Sequence, residues 1–226
     1  MSERLLGFFY FFQFTSVYWG LTADERRDVQ ARMLTDLEAA KLHFDLYQVF
    51  PLDAQVDLLL WCTVQLTEEM TPEQFFKVAA GMLMPYRQLV SPKLIWWGMT
   101  RSSDYARGKS AQEIDPFDGQ RGRYLVVYPF SKSSEWYKLS RDTRQGMMNE
   151  HIRIGHQYPQ IKQLLLYSTG LQDQEFIVTY ETEDLGQFSA LVAELRSSEA
   201  RRFTSMDTPV FTAIYHNPEE TLGLFI

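Results

Sequence analysis

One rhythm of apolar periodicity and chain breakers, met twice, restricts the fold of this chain more than any other feature. Residues 4–14 predict a strand rich in Phe and Tyr. Thr22 then caps a helix through "ADERRDVQARMLTDLEAAK", with Glu25 three residues on to complete a capping box. Strands follow at 43–50 and 56–64, Thr71-Pro72 opens a second helix, and "KLIWWGM" near 93–99 closes the first half. A polar stretch rich in Ser, Gly, Asp and Pro follows and reads as a linker. The pattern then repeats. A strand runs through "RYLVVYPF", Ser140 caps a helix, strands lie at 161–167 and 175–181, Asp184 opens the helix "LGQFSALVAELRSSEARRF", and a last strand lies near 209–215.

Each half therefore reads β-α-β-β-α-β, the ferredoxin-like order. The expected class is α+β: two ferredoxin-like repeats forming a dimeric α+β barrel-like subunit, with residues 1–101 and 123–226 as the halves and 102–122 as the linker. Composition fits a folded globular chain, 45% apolar and 23% charged over 226 residues. Aromatic content of 15% points to a large core or to a pocket lined with rings. A net charge of −7 would repel a phosphate backbone, so no nucleic-acid partner is expected. Cys62 is the single cysteine, which excludes an intramolecular disulfide and suits a reducing, cytoplasmic setting. The apolar run "LLGFFYFF" is too short to span a bilayer and lacks the flanks of a signal peptide.

The helix after Ser140 raises a chemical question. Wound at 3.6 residues per turn, it places Met147, Met148, His151, Ile154, Gly155 and Tyr158 on one stripe. An imidazole there is either a satisfied core group or a ligand to something flat, because Gly155 removes a side chain one turn away. Four neighbours bear on the choice. Tyr128 shares a strand face with Tyr124 and Val126, and a buried phenol needs a hydroxyl partner. Lys132 stands just past that strand. Gln163 enters an apolar run, which costs free energy unless it meets a partner or ligand or sits on the rim. Glu199, three residues after Arg196, is either a surface ion-pair partner or a carboxylate that orients a metal-bound imidazole.

Four segments carry a resemblance to a known family: "YPFSKSSEWYKL", "RQGMMNEHIRIGHQYPQIKQ", "YSTGLQDQEF" with "ETEDLGQF", and "LRSSEARRFTSMDTPVFT". Residues 123–212 resemble the C-terminal half of the chlorite dismutase-like heme proteins, which include the coproheme decarboxylases. The first half is similar in pattern and length alone. The resemblance implies that His151 is the proximal iron ligand, that Glu199 orients it, that Arg196 lies near a propionate, and that Trp136 is a pocket residue. True chlorite dismutases carry a distal arginine. Aligned back from "YSTGL", Gln163 takes that position; aligned forward from His151, Leu164 does, and the first register is preferred because a deletion in the Tyr158–Lys162 turn costs little. Tyr128 and Lys132 match the redox-active tyrosine and the lysine of the decarboxylases. Arg121 and Arg123 are candidates for a propionate-binding arginine of the linker.

The implied activity is peroxide-dependent decarboxylation of two propionates of iron coproporphyrin (coproheme) to give heme b, with hydrogen peroxide as co-substrate. A chlorite dismutase-like heme oxidoreductase and a non-catalytic heme-binding or transfer protein are the alternatives. Two-domain members of the family imply a homopentamer.

Overall fold

The computed structural model describes residues 4–105 and 110–226. They form two compact units, one of residues up to Thr100 together with Ala213–Ile226, the other of Arg101–Thr212.

In the first unit, β1 (Leu5–Phe14) lies between β3 (Leu58–Gln65) and β4 (Val90–Met99), antiparallel to both, and β2 (His43–Gln48) pairs with β3. Leu6, Phe8, Tyr10, Phe12 and Phe14 face the helices α2 (Ala23–Ala39) and α3 (Pro72–Leu83), where they meet Val29, Met33, Leu37, Phe75 and Met82. Phe9 and Phe11 point the other way, against Trp61 and Trp96. With both faces buried, the strand loses the usual apolar–polar alternation, which is why "LLGFFYFF" is so greasy. Thr22 and Glu25 form the full capping box, and Thr71 caps α3.

Three short helices escape the periodicity: α1 (Ser16–Trp19), α4 (Ser134–Lys138) and α7 (Pro218–Gly223). The tail carrying α7 packs with the first unit. The Tyr18 hydroxyl donates to the Phe225 carbonyl at 2.9 Å, and the Gln30 amide donates to the Leu222 carbonyl at 2.7 Å. The compact units thus divide differently from the two sequence halves: the chain's last segment belongs with its first.

In the second unit, β5 (Tyr124–Lys132) pairs antiparallel with β7 (Phe176–Thr182), and β7 with β6 (Lys162–Tyr167). β8 (Thr204–Met206) lies along the end of β5; β9 (Phe211–Tyr215) follows it in the chain, and its residues 213–215 belong to the first unit, where Tyr215 and Ile214 pair with Tyr47 and Gln48 of β2. The helix α5 (Arg141–Gly155) starts at Ser140, whose hydroxyl accepts the Thr143 N–H. Asp184 caps α6 (Leu185–Ser197). That helix stops six residues short of the expected Phe203. The Ser198 hydroxyl donates back to the Leu195 carbonyl at 2.7 Å while its backbone turns extended, and a 3-10 turn, Glu199–Phe203, follows.

From Gln112 onward the linker is built into this unit rather than lying free of it. Gln163 N–H donates to the Gln112 carbonyl at 2.7 Å, and Ile114 N–H donates back to the Gln163 carbonyl at 3.0 Å. Gly122 runs so close to β7 that a Cβ there would lie 2.9 Å from that of Glu181. Among the described residues, no helix is long and apolar enough to cross a membrane.

Candidate functional site

The register of the second sheet decides which side chains can meet. Val126 sits opposite Tyr180, Tyr128 opposite Val178, and Gln163 opposite Tyr180. Side chains alternate along strands, so Tyr128, Val178, Tyr180, Gln163 and Leu165 share one face. Leu164 is on the other face and buried. The shared face is the one that packs on the helices, where Val126 and Tyr180 cluster with Ile154, Phe188 and Leu191. Gln163 therefore stands on the tyrosine face, exposed, and Leu164 does not.

On the helix side, Ile154 alone of α5 is buried. Met147, Met148 and His151, on the same stripe, are half-buried. The helix is fully buried at Ile154, near its C-terminal end, and partly covered along the rest of its apolar face. Burial pushes the His151 imidazole down to about 4, the nearby Lys132 ammonium pushes the same way, and Glu150 opposes both. His151 is thus neutral at ordinary pH, the form that a metal accepts as ligand.

Lys132 closes the site from the end of β5. Its Nζ lies 4.5 Å from the centre of the Trp136 ring and donates to the Ala200 carbonyl at 3.0 Å. Burial, helped by the Arg201 charge and opposed by Glu175, lowers its pKa to about 8. Trp136 itself is 3% exposed and packs on Phe203, so it forms the floor beneath the lysine. Tyr128 is raised well above the ordinary phenol range, first by burial, then by Tyr180 and Asp207, with Arg196 opposing. Arg196 reaches Asp207 at 3.9 Å, and Arg201 also pairs with that carboxylate.

Two residues are placed differently from the roles the resemblance implies. Glu199 begins the 3-10 turn instead of lying on α6, and its exposed carboxylate faces Arg202 at 3.2 Å. Its backbone N–H, not its carboxylate, reaches α5, donating to Glu150 at 3.1 Å. The Arg121 side chain is 1% exposed and pairs with Glu181 at 3.1 Å and Asp118 at 2.8 Å, which commits it to the framework. Arg123 is exposed, 3.6 Å from Glu183.

Residues 21–216 match the sequence pattern of the family described as Chlorite dismutase. This chain belongs to the chlorite dismutase family. A coproheme decarboxylase of Mycolicibacterium smegmatis is 28% identical over 169 residues, spanning 74% of this chain and 70% of that protein. One of Staphylococcus carnosus is 31% identical over 187 residues, spanning 76% and 72%. A mutant chlorite dismutase from Candidatus Nitrospira defluvii, 24% identical, superposes with a TM-score of 0.85 over 98% of this chain and 95% of its own, an agreement of fold.

This chlorite dismutase-family chain also gathers residues that its sequence did not mark. Tyr180, Arg201 and Asp207 all bear on Tyr128 or Lys132. A signal for Tyr180 existed, since it is an isolated phenol in the apolar strand "FIVTY". Arg201 had none, because its segment reads as helix, and Asp207 had none, because it falls between the expected helix and the last expected strand.

Proposed function

We propose that the chain converts two propionate arms of an iron coproporphyrin to vinyl groups, with hydrogen peroxide as oxidant. The observation that supports this reading is that β5, which carries Tyr128 and Lys132, faces the helix of His151: Tyr128 packs in the cluster of Ile154, and the Lys132 charge is felt at His151. The coproheme decarboxylases among its relatives favour the same reading.

The residues fit a flat, anionic macrocycle. The half-buried stripe of α5 offers apolar Met147 and Met148, and a Cβ built on Gly155 would meet nothing within 4 Å. His151 would offer the iron a neutral ring nitrogen. Lys132, Arg196 and Arg201 supply cationic groups for carboxylates. With peroxide, the bound iron porphyrin provides the oxidising power for carbon–hydrogen cleavage. For each arm, a propionate, one peroxide and one proton become a vinyl group, carbon dioxide and two waters.

The chain's own groups divide the remaining work. His151 would hold the iron. Tyr128, fixed on the rigid sheet face, presents its hydroxyl to a side arm. Lys132, with its lowered pKa, pairs with a carboxylate or takes the phenolic proton. Gln163 adds an uncharged amide on the tyrosine face, and without a cation there an anion such as chlorite gains little steering.

Mass spectrometry of the porphyrin after mixing the protein with ferric coproporphyrin and peroxide tests the reading. Stepwise loss of carbon dioxide with two hydrogens is expected. Unchanged porphyrin, or oxygen release from added chlorite, would overturn it.

A further inference from the structure

Tyr180 has no assigned role, yet its position is unusual. It is 5% exposed in a cluster otherwise made of Val126, Ile154, Ile161, Phe188 and Leu191. A phenol in such a place must find a partner for its hydroxyl, or lose the solvation of that group without return. A phenylalanine would serve the packing as well. Strand register supplies the partner: Tyr180 stands diagonally across the β5–β7 pair from Tyr128, their rings stacked with centroids 6.2 Å apart and planes 25° apart. Each hydroxyl bears on the other, and in two neutral phenols either can donate; Tyr180 raises Tyr128, and Tyr128 lowers Tyr180 against the effect of burial. The other charges that bear on Tyr128 are Asp207 and Arg196.

We propose that Tyr180 is a positioning residue for Tyr128, its hydroxyl holding the Tyr128 O–H in one orientation on the sheet face. The proposal rests on the decarboxylase reading, in which Tyr128 is the phenol that reacts. A freely rotating O–H would have to be ordered in each turnover, whereas one held by a buried neighbour is already ordered. Tyr180 touches neither substrate nor iron in this scheme; it acts through Tyr128.

The test uses the full chain with tyrosine labelled by carbon-13 at the ring carbon that bears the hydroxyl. Tyr128→Phe and Tyr180→Phe assign the two resonances. Without porphyrin at neutral pH, Tyr180→Phe is expected to move the Tyr128 resonance and leave the folded dispersion of the others. With ferric coproporphyrin and peroxide, the same variant is expected to lower kcat by about twofold to tenfold, the loss of one hydrogen bond, at unchanged KM. A Tyr128 resonance that stays in place overturns the proposal, as does an unaltered kcat. If wild-type protein forms no vinyl product, the decarboxylase reading fails and takes this role with it; the resonance shift still tells separately whether the two phenols are coupled.

Discussion

Lys132 is held in a setting that disfavours its charge. Its pKa falls from 10.5 to about 8, chiefly by burial. The sign of the consequence follows from proton counting. Between those two values the unfolded chain binds more protons at this residue than the folded one, so its contribution makes stability rise with pH and level off above 10.5. Lys132→Met should flatten that rise, read as the difference between the two proteins in urea denaturation from neutral to alkaline pH. A depressed lysine is retained at a cost to stability, which fits a group kept for binding or proton transfer. Tyr128→Phe makes the complementary prediction. Porphyrin binding should persist while vinyl formation falls tenfold or more, about 1.4 kcal/mol of barrier, followed by chromatography of the extracted porphyrin.

At the scale of elements, α5 is positioned by its ends. Ser140 caps its start, and the Gln112 amide lies within reach of three carbonyls at its far end, those of Gly155 at 3.2 Å, Tyr158 at 2.9 Å and Ile161 at 3.1 Å. Gln112→Ala leaves them without that donor and should destabilise the protein by about 1–3 kcal/mol, measured by thermal or urea unfolding. The start of α5 was legible because capping is local: Ser140, Thr22, Thr71 and Asp184 all cap where the sequence placed them. The end of α6 was not. "RSSEARRF" contains good helix formers, and the chain leaves the helix because Ser198 bonds back to Leu195 and the following turn packs against its own unit. That one boundary moved Glu199 to solvent and brought Arg201 into the site. Gln163 shows the reverse case. Of the two registers the sequence offers, the preferred one has Gln163 at the distal position, and the pairing with Tyr180 puts Gln163, not Leu164, on the tyrosine face.

For the whole molecule, the α+β character and the strand–helix order were legible because apolar period and breakers recur twice. The assignment of the last segment was not, since it depends on Tyr18 and Gln30 bonding to residues some 200 positions away, beyond any local pattern. Arg121 belongs to the same class: nothing local marks an arginine that will be buried against Glu181. A homopentamer is the assembly proposed for this family member, and light scattering in solution should return five times the mass of the 226-residue chain.

The account turns on His151. Ferric coproporphyrin should be titrated into wild-type protein and into folded His151→Ala, with the Soret band recorded in each. Wild-type protein is predicted to give a shifted, intensified band that saturates at one porphyrin per chain, and the variant to give a band of different position and lower intensity. Superimposable bands from the two proteins would contradict the account.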